Sequence, residues 1–365
     1  MLIALYTPTT LDGAASSAGV TVLLSSLLFA LPLGIWYAYS DRIASNGGLY
    51  AFVEAAAGPR LARVQAAFWI ISYFLYLIYT VPYVVYDLLP AVFPGVTPYR
   101  LLLDGLLALA IVAILLSPRI VTLLMVAAIA ALQAVLTIGL AGVTLLSLGI
   151  PAGSFIGHGN FVPILQGAAK TSSLYICASL PLFLGGEVRG GHRSVQRALI
   201  WAYMAVAILA IVTIFPLAAA NSGLLGEEIP GAALAGSYGG QGLEVAIGLG
   251  VALSVAGLII AEYLALSRLL AVLARRSVRL TIAGIAVAFV IGSAISLLDP
   301  LGAYRLLLKP SLIALWISQL IVVVVYPWFV ARERRPNPGH IALAAGASLL
   351  ILFALYTSVA SSAAT

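Results

Sequence analysis

The chain alternates between long apolar runs and short polar gaps, and most of its charged residues lie in the gaps. Each run is long enough to cross a hydrocarbon core of about 30 Å as a helix. Helices are required because lipid offers the backbone no hydrogen-bond partners, and the runs lack the alternation of barrel strands. The ten runs comprise residues 16–40, 64–89, 101–117, 120–148, 166–184, 195–219, 243–267, 279–298, 306–331 and 340–360. The pattern predicts an all-α polytopic membrane protein with ten transmembrane helices.

Composition supports this fold class. Of the 365 residues, 63% are hydrophobic and only 8% are charged, and 34 glycines and 18 prolines are scattered as membrane helices tolerate. A net charge of +6 would suggest nucleic acid in a soluble protein, but in a membrane protein the position of the charges matters more than their sum. We therefore expect membrane lipids as partners, no nucleic acid and no soluble domain.

The basic residues follow the positive-inside rule. Every second gap, beginning after the first run, is rich in arginine, and these gaps hold Arg42, Arg60, Arg63, Arg119, Arg189, Arg193, Arg197, Arg275, Arg276, Arg279, Arg332, Arg334 and Arg335. The other gaps hold only Arg100, Arg305 and Lys309. Thirteen basic residues against three predict a multi-pass protein of the cell membrane with the first set in the cytoplasm and both termini outside.

Cysteine and histidine offer little chemistry. Cys177 is the only cysteine, so the chain has no internal disulfide, and His158, His192 and His340 are too scattered for a metal site. We expect neither a metal nor a cofactor. Residues 1–15 also lack the basic segment of a secretory signal.

The most specific local string, SNGGLYAFVE, spans Ser45–Glu54 and is followed by Gly58 and Pro59. Taken alone, it is explained by a Gly-Gly turn that leads into a short amphipathic helix. It also resembles the S-x-G-G-x-Y-x-[FY] signature between the second and third helices of the amino acid–polyamine–organocation (APC) transporter superfamily.

Two further stretches carry the same resemblance. Residues 187–200, EVRGGHRSVQRALI, are similar to the family's E-x-K-N-P-x-R-x-x-P-R-A segment after its sixth helix, and 267–275, SRLLAVLAR, to the S-R-x-x-x-x-x-A-R end of its eighth. The three segments occur in the family's order, each at a predicted cytoplasmic edge. The chain departs from the family at Gly190 and Gly191, which replace Asn-Pro, and at Gln196, which replaces the second proline.

The resemblance implies two inverted five-helix repeats of the APC or LeuT-like type, at 1–148 and 149–335, with an extra helix at 336–365. The first run then corresponds to the family's second helix, and residues 5–8 to the end of its first. Most of the first helix, with its Gly-rich break, is therefore expected to be missing. The family's first and sixth helices are interrupted near the midplane, where half-helix ends bind the substrate's carboxylate and amine.

Pro181 predicts a break in the fifth run without reference to any family. Its ring has no N–H and clashes with the carbonyl four residues earlier, so the carbonyl of Cys177 should be unpaired. A simple kink, satisfied by Ser172, Ser173 or water, explains the same residues. The resemblance places the sixth-helix break at this point and implies a substrate-binding stretch of Tyr175, Ile176, Cys177, Ala178 and Ser179.

Tyrosines at spacings of three and four mark one face of the second run: Tyr73, Tyr76, Tyr79, Tyr83 and Tyr86. By resemblance this is the family's third helix, which lines the substrate cavity, so Tyr73 and Tyr76 are candidates to contact a ligand. Aromatic packing between helices is the alternative for these two, and the favoured explanation for Tyr83 and Tyr86.

Charged residues inside the runs are costly and therefore informative: Asp104, Lys170, Glu262 and Arg268. Glu262 is the deepest, about 9 Å from Arg268 along the axis, and a protonatable carboxyl there suits proton coupling. A structural pair with a neighbouring helix is the alternative. Sodium coupling is a competing hypothesis, because Ser254 occupies a position where sodium-driven relatives supply hydroxyls.

These observations predict a secondary transporter of amino acids or related amines that works by alternating access, coupled to protons or to exchange. An intramembrane enzyme would need acids, histidines or thiols clustered at one depth, which the sequence lacks, so we expect no enzyme. A channel or a non-transporting membrane subunit derived from a truncated permease remains the alternative.

Overall fold

The computed structural model describes residues 17–156, 161–219, 227, 229–333 and 337–360. Within these ranges, nine helices are long and apolar enough to cross a membrane. The predicted all-α polytopic membrane fold is confirmed. Residues 5–8, assigned to the end of the family's first helix, lie outside the described ranges.

The first half of the chain contains α1 (Ala18–Ser40), α2 (Leu49–Ala57), α3 (Pro59–Tyr83), α4 (Arg100–Leu116) and α5 (Arg119–Leu148). A π-helical turn, Val84–Leu88, and a short helical piece, Leu89–Val92, prolong α3. Pro59 begins α3 because proline fits the first turn of a helix, where its missing N–H has no partner to lose.

The second half begins with α6 (Phe161–Ser172), which continues directly into a 3₁₀ helix, Ser173–Leu184, referred to below as the long 3₁₀ helix. The remaining helices are α7 (Gly191–Val212), α8 (Ile214–Ala219), α9 (Pro230–Gly239), α10 (Gln241–Ala274), α11 (Val278–Ser296), α12 (Pro300–Val324), α13 (Tyr326–Glu333) and α14 (Pro338–Ala360).

Nine of the ten predicted runs correspond to the nine long helices. The tenth, at 166–184, falls on α6 and the long 3₁₀ helix, so the one run without a continuous α-helix is the one that contains Pro181. The turn and short helix predicted from the Gly-Gly string are also present, as Gly48 and α2.

The helices form two groups. In the first, α1, α6, α7 and the long 3₁₀ helix pack on one another. In the second, α3, α4, α10 and α11 do the same. The two groups meet where the long 3₁₀ helix packs against α10, while α5 lies against α10 and α12 against α3. The broken segment therefore lies at the boundary between the groups.

The lipid-facing surface is carried largely by α4 and α5, where the lowest shares of the apolar windows are buried. Large apolar side chains project from both helices, among them Leu106, Leu109, Leu124 and Val135. Such a surface is stable in hydrocarbon and would be an aggregation hazard in water. The polar side chains described next are, in contrast, inside the fold.

Candidate functional site

The break at Pro181 is a change of helix type rather than an unwound stretch. The α-helix ends at Ser172, four to seven residues before the break that Pro181 predicts near Ile176 to Ser179, and 3₁₀ geometry continues through Pro181 to Leu184. In a 3₁₀ helix each N–H bonds the carbonyl three residues earlier, so the carbonyl that loses its donor is that of Ala178. The prediction that Cys177 would carry the unpaired carbonyl was wrong, because it assumed α-helical spacing.

A group of polar side chains faces this segment from the second helix group. Glu262 of α10 is only 5% exposed, and its Oε2 has no hydrogen-bond partner among the described residues. Glu262 lies within electrostatic range of the Tyr73 hydroxyl on α3 and of the Cys177 thiol. The structure therefore brings together three predicted site residues from three different elements.

Ser179 joins the same group. Its hydroxyl and that of Tyr73 are both buried and lie close together, but their geometry does not make a full hydrogen bond. Cys177, between them in sequence, is half-buried, whereas Ile176, Ala178 and Ser179 are buried. A buried hydroxyl without a partner costs free energy, so two such groups close together, one of them near a buried carboxylate, are typical of a binding site. Tyr73, Cys177, Ser179 and Glu262 are called the central cluster below.

Tyr175 points away from the central cluster. Its hydroxyl lies 2.5 Å from Oγ of Ser26 on α1, and its ring stacks on Phe29 at 5.5 Å. Tyr203 of α7 also lies against the ring, and its hydroxyl donates to the Ser26 carbonyl. Tyr175 therefore connects helices within the first group.

The tyrosine face of α3 divides into two parts. Tyr73 stacks on Trp69 at 4.0 Å, and Trp69 lies 4.4 Å from the ring of Phe183 on the long 3₁₀ helix. Farther along α3, Tyr76 contacts Tyr79 edge to face, and Tyr79 and Tyr83 both pack on Tyr304 of α12.

The π-helical turn at Val84–Leu88 then changes the helical phase, so Tyr86 leaves the row. Arg100 lies over the Tyr86 ring, 5.1 Å from its centroid, at the rim of a cleft of about 430 Å³. That cleft is lined by Asp87, Arg100 and Asp299, which lie near the ends of helices and outside the central cluster. The packing explanation for Tyr83 and Tyr86 agrees with these contacts.

The other predicted polar positions are separate from the cluster. Ser254 is buried on α10, but eight residues, about 12 Å along the axis, separate it from Glu262. Asp104 of α4 is buried and accepts a hydrogen bond of 3.0 Å from Ser293 of α11. Lys170 is half-buried in the last turn of α6.

The three segments that carry the family resemblance meet at one edge of the fold. Glu187, just after the long 3₁₀ helix, pairs with Arg268 of α10 at 2.9 Å and with Arg119 of α5 at 2.9 Å. Asn46 of the first-loop string donates to Glu187 at 3.3 Å and accepts from the Gly186 N–H at 3.0 Å. One carboxylate therefore links both helix groups at this end, called the arginine-rich edge below.

Two further polar residues were not anticipated. Gln65 of α3 donates to Ser318 of α12 at 2.9 Å, while its Oε1 and both amide atoms of the buried Gln319 lack partners among the described residues. Both glutamines lie inside apolar runs, so intramembrane polarity was the signal that could have found them. Among the described residues, no three His, Cys, Asp or Glu side chains come together as metal ligands.

Solved structures with the same fold are membrane transporters. Mhp1, a nucleobase-cation-symport-1 family transporter crystallised closed with bromovinylhydantoin, matches with a TM-score of 0.55 and 14% identity, over 98% of this chain and 89% of that one. Two variants of the manganese transporter of Eremococcus coleocola match with a TM-score of 0.60 and 12% and 13% identity, over 99% of this chain and 88% of theirs.

No protein-family model matches the chain, and no match is found among curated proteins. At these identities the likeness establishes the fold alone. The chain has the LeuT-like fold that these solved structures share.

Proposed function

We propose that this protein is a secondary transporter that moves amino acids or related amines across the cell membrane by alternating access. The observation that carries the proposal is the central cluster, which lies where the long 3₁₀ helix of one helix group packs against α10 of the other. A site at such a boundary is opened to either side when one group rocks against the other. The fold that the chain shares with known transporters supports the same conclusion.

In this proposal, the helices that form each of the two groups are those expected for a transporter of the APC type. Residues 1–148 and 149–335 are the two inverted repeats in this proposal, and 336–365 is the additional helix. By the positive-inside rule, the arginine-rich edge faces the cytoplasm and both termini lie outside. The Glu187 network then closes the cytoplasmic side of the site in the conformation described here.

The site residues have distinct roles in the proposal. Tyr73, Cys177 and Ser179 line the substrate site, and the Ala178 carbonyl is available to a donor because Pro181 has no N–H. Ile176, which is buried, shapes the apolar wall, and Tyr76 is the second tyrosine of α3 assigned to the site. Glu262 binds the coupling proton, while Ser254 is the position at which sodium would bind if sodium were the coupling ion.

Reconstitution of the purified full chain into proteoliposomes tests the proposal. Saturable accumulation of a labelled amino acid or amine, driven by an imposed proton or sodium gradient or by counterflow, is the expected result. Ser179→Ala should raise KM, while Ser147→Ala, on an exposed hydroxyl of α5, should not. Flux that follows only the substrate gradient indicates a channel, and silence under every gradient indicates a non-transporting membrane protein.

A further inference from the structure

One face of α7 carries a row of exposed side chains that begins at the arginine-rich edge. The spacings of three and four residues place the row within an arc of about 80° on the helix. Its five members, called the α7 row below, are Arg193, Arg197, Trp201, Met204 and Ile208. From Arg197 to Ile208 the row extends about 16 Å along the axis, close to half of a hydrocarbon core of about 30 Å. The row therefore has the length of one leaflet of a bilayer.

The opposite side of α7 packs into the first helix group. Gln196 donates to the Tyr37 carbonyl of α1 at 3.3 Å and to Asp41 at 3.4 Å, and Tyr203 donates to the Ser26 carbonyl of the same helix. These contacts fix the rotation of α7 and leave the α7 row pointing out of the fold. Trp201, for example, is 72% exposed. Because α7 is long and apolar enough to span a membrane, the row faces lipid.

The two arginines of the row are not neutralised by the fold. Among the described residues, Arg193 and Arg197 form neither an ion pair nor a side-chain hydrogen bond. The acids at this end have other partners: Asp41 lies 3.8 Å from Arg42, and Glu187 is paired twice within the arginine-rich edge. Two positive charges therefore stand side by side at the membrane end of one helix face.

Arg193 is also placed where its own helix disfavours a cation. It lies in the first turn of α7, which begins at Gly191, and the positive end of the helix dipole is at that turn. The turn contains no acidic residue, and no side chain caps it. The arrangement lowers the stability of α7 by itself, and an anion between the two guanidinium groups would offset that cost.

We infer that the α7 row binds an anionic phospholipid of the leaflet next to the arginine-rich edge. The lipid phosphate lies between Arg193 and Arg197, since guanidinium groups bind phosphate with paired hydrogen bonds. Trp201 lies at the depth of the glycerol, where indole rings are favoured, and an acyl chain follows Met204 and Ile208. The inference concerns lipid binding alone and does not depend on the transport proposal.

The charge and length of the row favour this occupant over others. A phosphatidylcholine headgroup carries its own cation, which two unneutralised arginines repel, so a lipid with net negative charge is preferred. Free phosphate or an acidic protein would contact the arginines but leave the apolar part of the row, from Trp201 to Ile208, without a role. Only an amphiphile with a negative headgroup matches the whole row.

Quenching of tryptophan fluorescence by brominated lipid tests the inference on the reconstituted full chain. Of the five tryptophans, Trp36, Trp69 and Trp316 are buried, so Trp328→Phe leaves Trp201 as the one exposed indole. Phosphatidylcholine vesicles carry the same minor fraction of either brominated phosphatidylglycerol or brominated phosphatidylcholine. We expect the first to occupy the lipid position at Trp201 about fivefold or more in preference to the second, since one arginine near a membrane surface already contributes about that factor.

Substitution of the two arginines locates the preference. Arg193→Gln combined with Arg197→Gln should remove it, and Arg193→Lys combined with Arg197→Lys should keep most of it. Arg279→Gln is the matched control, because Arg279 is also an exposed arginine in the first turn of a spanning helix, α11, but has Ala283 four residues later. It should behave like the wild type. All these side chains are exposed, so thermal unfolding should be nearly unchanged and shows that each variant is folded.

The reciprocal background, Trp201→Phe, reports on lipid at the exposed Trp328 of α13, and the paired Gln variant should not alter that signal. A preference that is lost only at Trp201 and only in the paired Gln variant supports the inference. Equal quenching of wild-type Trp201 by both lipids overturns it. So does an equal loss of preference in Arg279→Gln or at Trp328, because the cause is then the general surface charge. Loss of the preference in added inorganic phosphate at constant ionic strength also overturns it, because the site then takes free phosphate.

Discussion

Glu187 and Arg268 come from different helix groups and meet side by side at the arginine-rich edge, with Oε1 of the first 2.9 Å from Nε of the second. Nη2 of Arg268 also donates a hydrogen bond of 3.1 Å to Oε2 of Glu187, so the guanidinium and the carboxylate are in contact at two points. The Arg268 side chain is 5% exposed, which makes the pair far more sensitive to loss of one partner than a surface ion pair.

Glu187→Gln should open the arginine-rich edge. Removing one charge of a buried pair costs about 3 kcal/mol, which favours conformations in which Arg268 reaches water. We expect alkylation of Cys177 by an impermeant reagent added from that edge to accelerate about fivefold or more. Arg42→Gln is the control, because the Arg42–Asp41 pair at 3.8 Å is 63% exposed on both sides and contributes little. Equal alkylation rates in both variants would contradict a closing role for Glu187.

Tyr73→Phe and Tyr175→Phe should separate ligand binding from stability. The Tyr73 hydroxyl has no hydrogen-bond partner among the described residues, so its loss should leave thermal stability unchanged and raise KM for the substrate about fivefold. The Tyr175 hydroxyl is 2.5 Å from Ser26, so its loss should cost about 1 kcal/mol of stability and leave KM unchanged. Thermal unfolding and uptake kinetics measure the two effects. If Tyr175→Phe raises KM and Tyr73→Phe lowers stability instead, the ligand lies on the α1 side of Tyr175.

The two tyrosines illustrate what the sequence could predict. Apolar runs specify spanning helices because lipid leaves the backbone no other choice, so the fold class and nine helices follow from the pattern. The direction in which a side chain leaves a helix depends on how that helix is rotated against its neighbours. Tyr175 lies two residues from Cys177 yet faces α1, and only the packing of α1, α7 and the long 3₁₀ helix decides this.

The backbone conformation at Pro181 and beyond Tyr83 also could not be predicted from the sequence. Proline predicts that one backbone hydrogen bond is missing. Whether the surrounding turns are α or 3₁₀ decides which carbonyl lacks its donor, and here it is that of Ala178. Similarly, the π-helical turn at Val84–Leu88 removes Tyr86 from a row that regular helical spacing predicts. Glu187 could be found in a motif, but its partners Arg268 and Arg119 become neighbours only in the folded chain.

Pro181→Ala should stabilise the fold and impair transport. Alanine supplies the missing N–H, so the Ala178 carbonyl would be paired within the helix. We expect a rise in unfolding temperature and a loss of about tenfold or more in the uptake rate. Pro32→Ala is the control, because Pro32 is also buried inside a long helix, α1, but outside the central cluster. Similar losses of uptake in both variants would make Pro181 an ordinary kink.

Gly48→Ala should disrupt the contact between the first-loop string and the long 3₁₀ helix. Gly48 has a φ of +52°, and a Cβ there would lie 2.5 Å from the Phe183 ring, so alanine adds overpacking to backbone strain. Gly58→Ala is the matched control, because Gly58 also has a positive φ, +87°, but has open space where the Cβ would lie. Both variants carry backbone strain, so their difference in unfolding free energy isolates the Phe183 contact.

That difference should be about 1 to 3 kcal/mol, the usual cost of overpacking. Because Phe183 also contacts Trp69, which stacks on Tyr73, the shift of its ring should reach the central cluster. Gly48→Ala should therefore raise KM for the substrate as well, whereas Gly58→Ala should not. Thermal unfolding and uptake assays on the same preparations measure both quantities. An unchanged KM in Gly48→Ala, alongside the expected loss of stability, would mean that the aromatic contacts do not connect the first loop to the binding site.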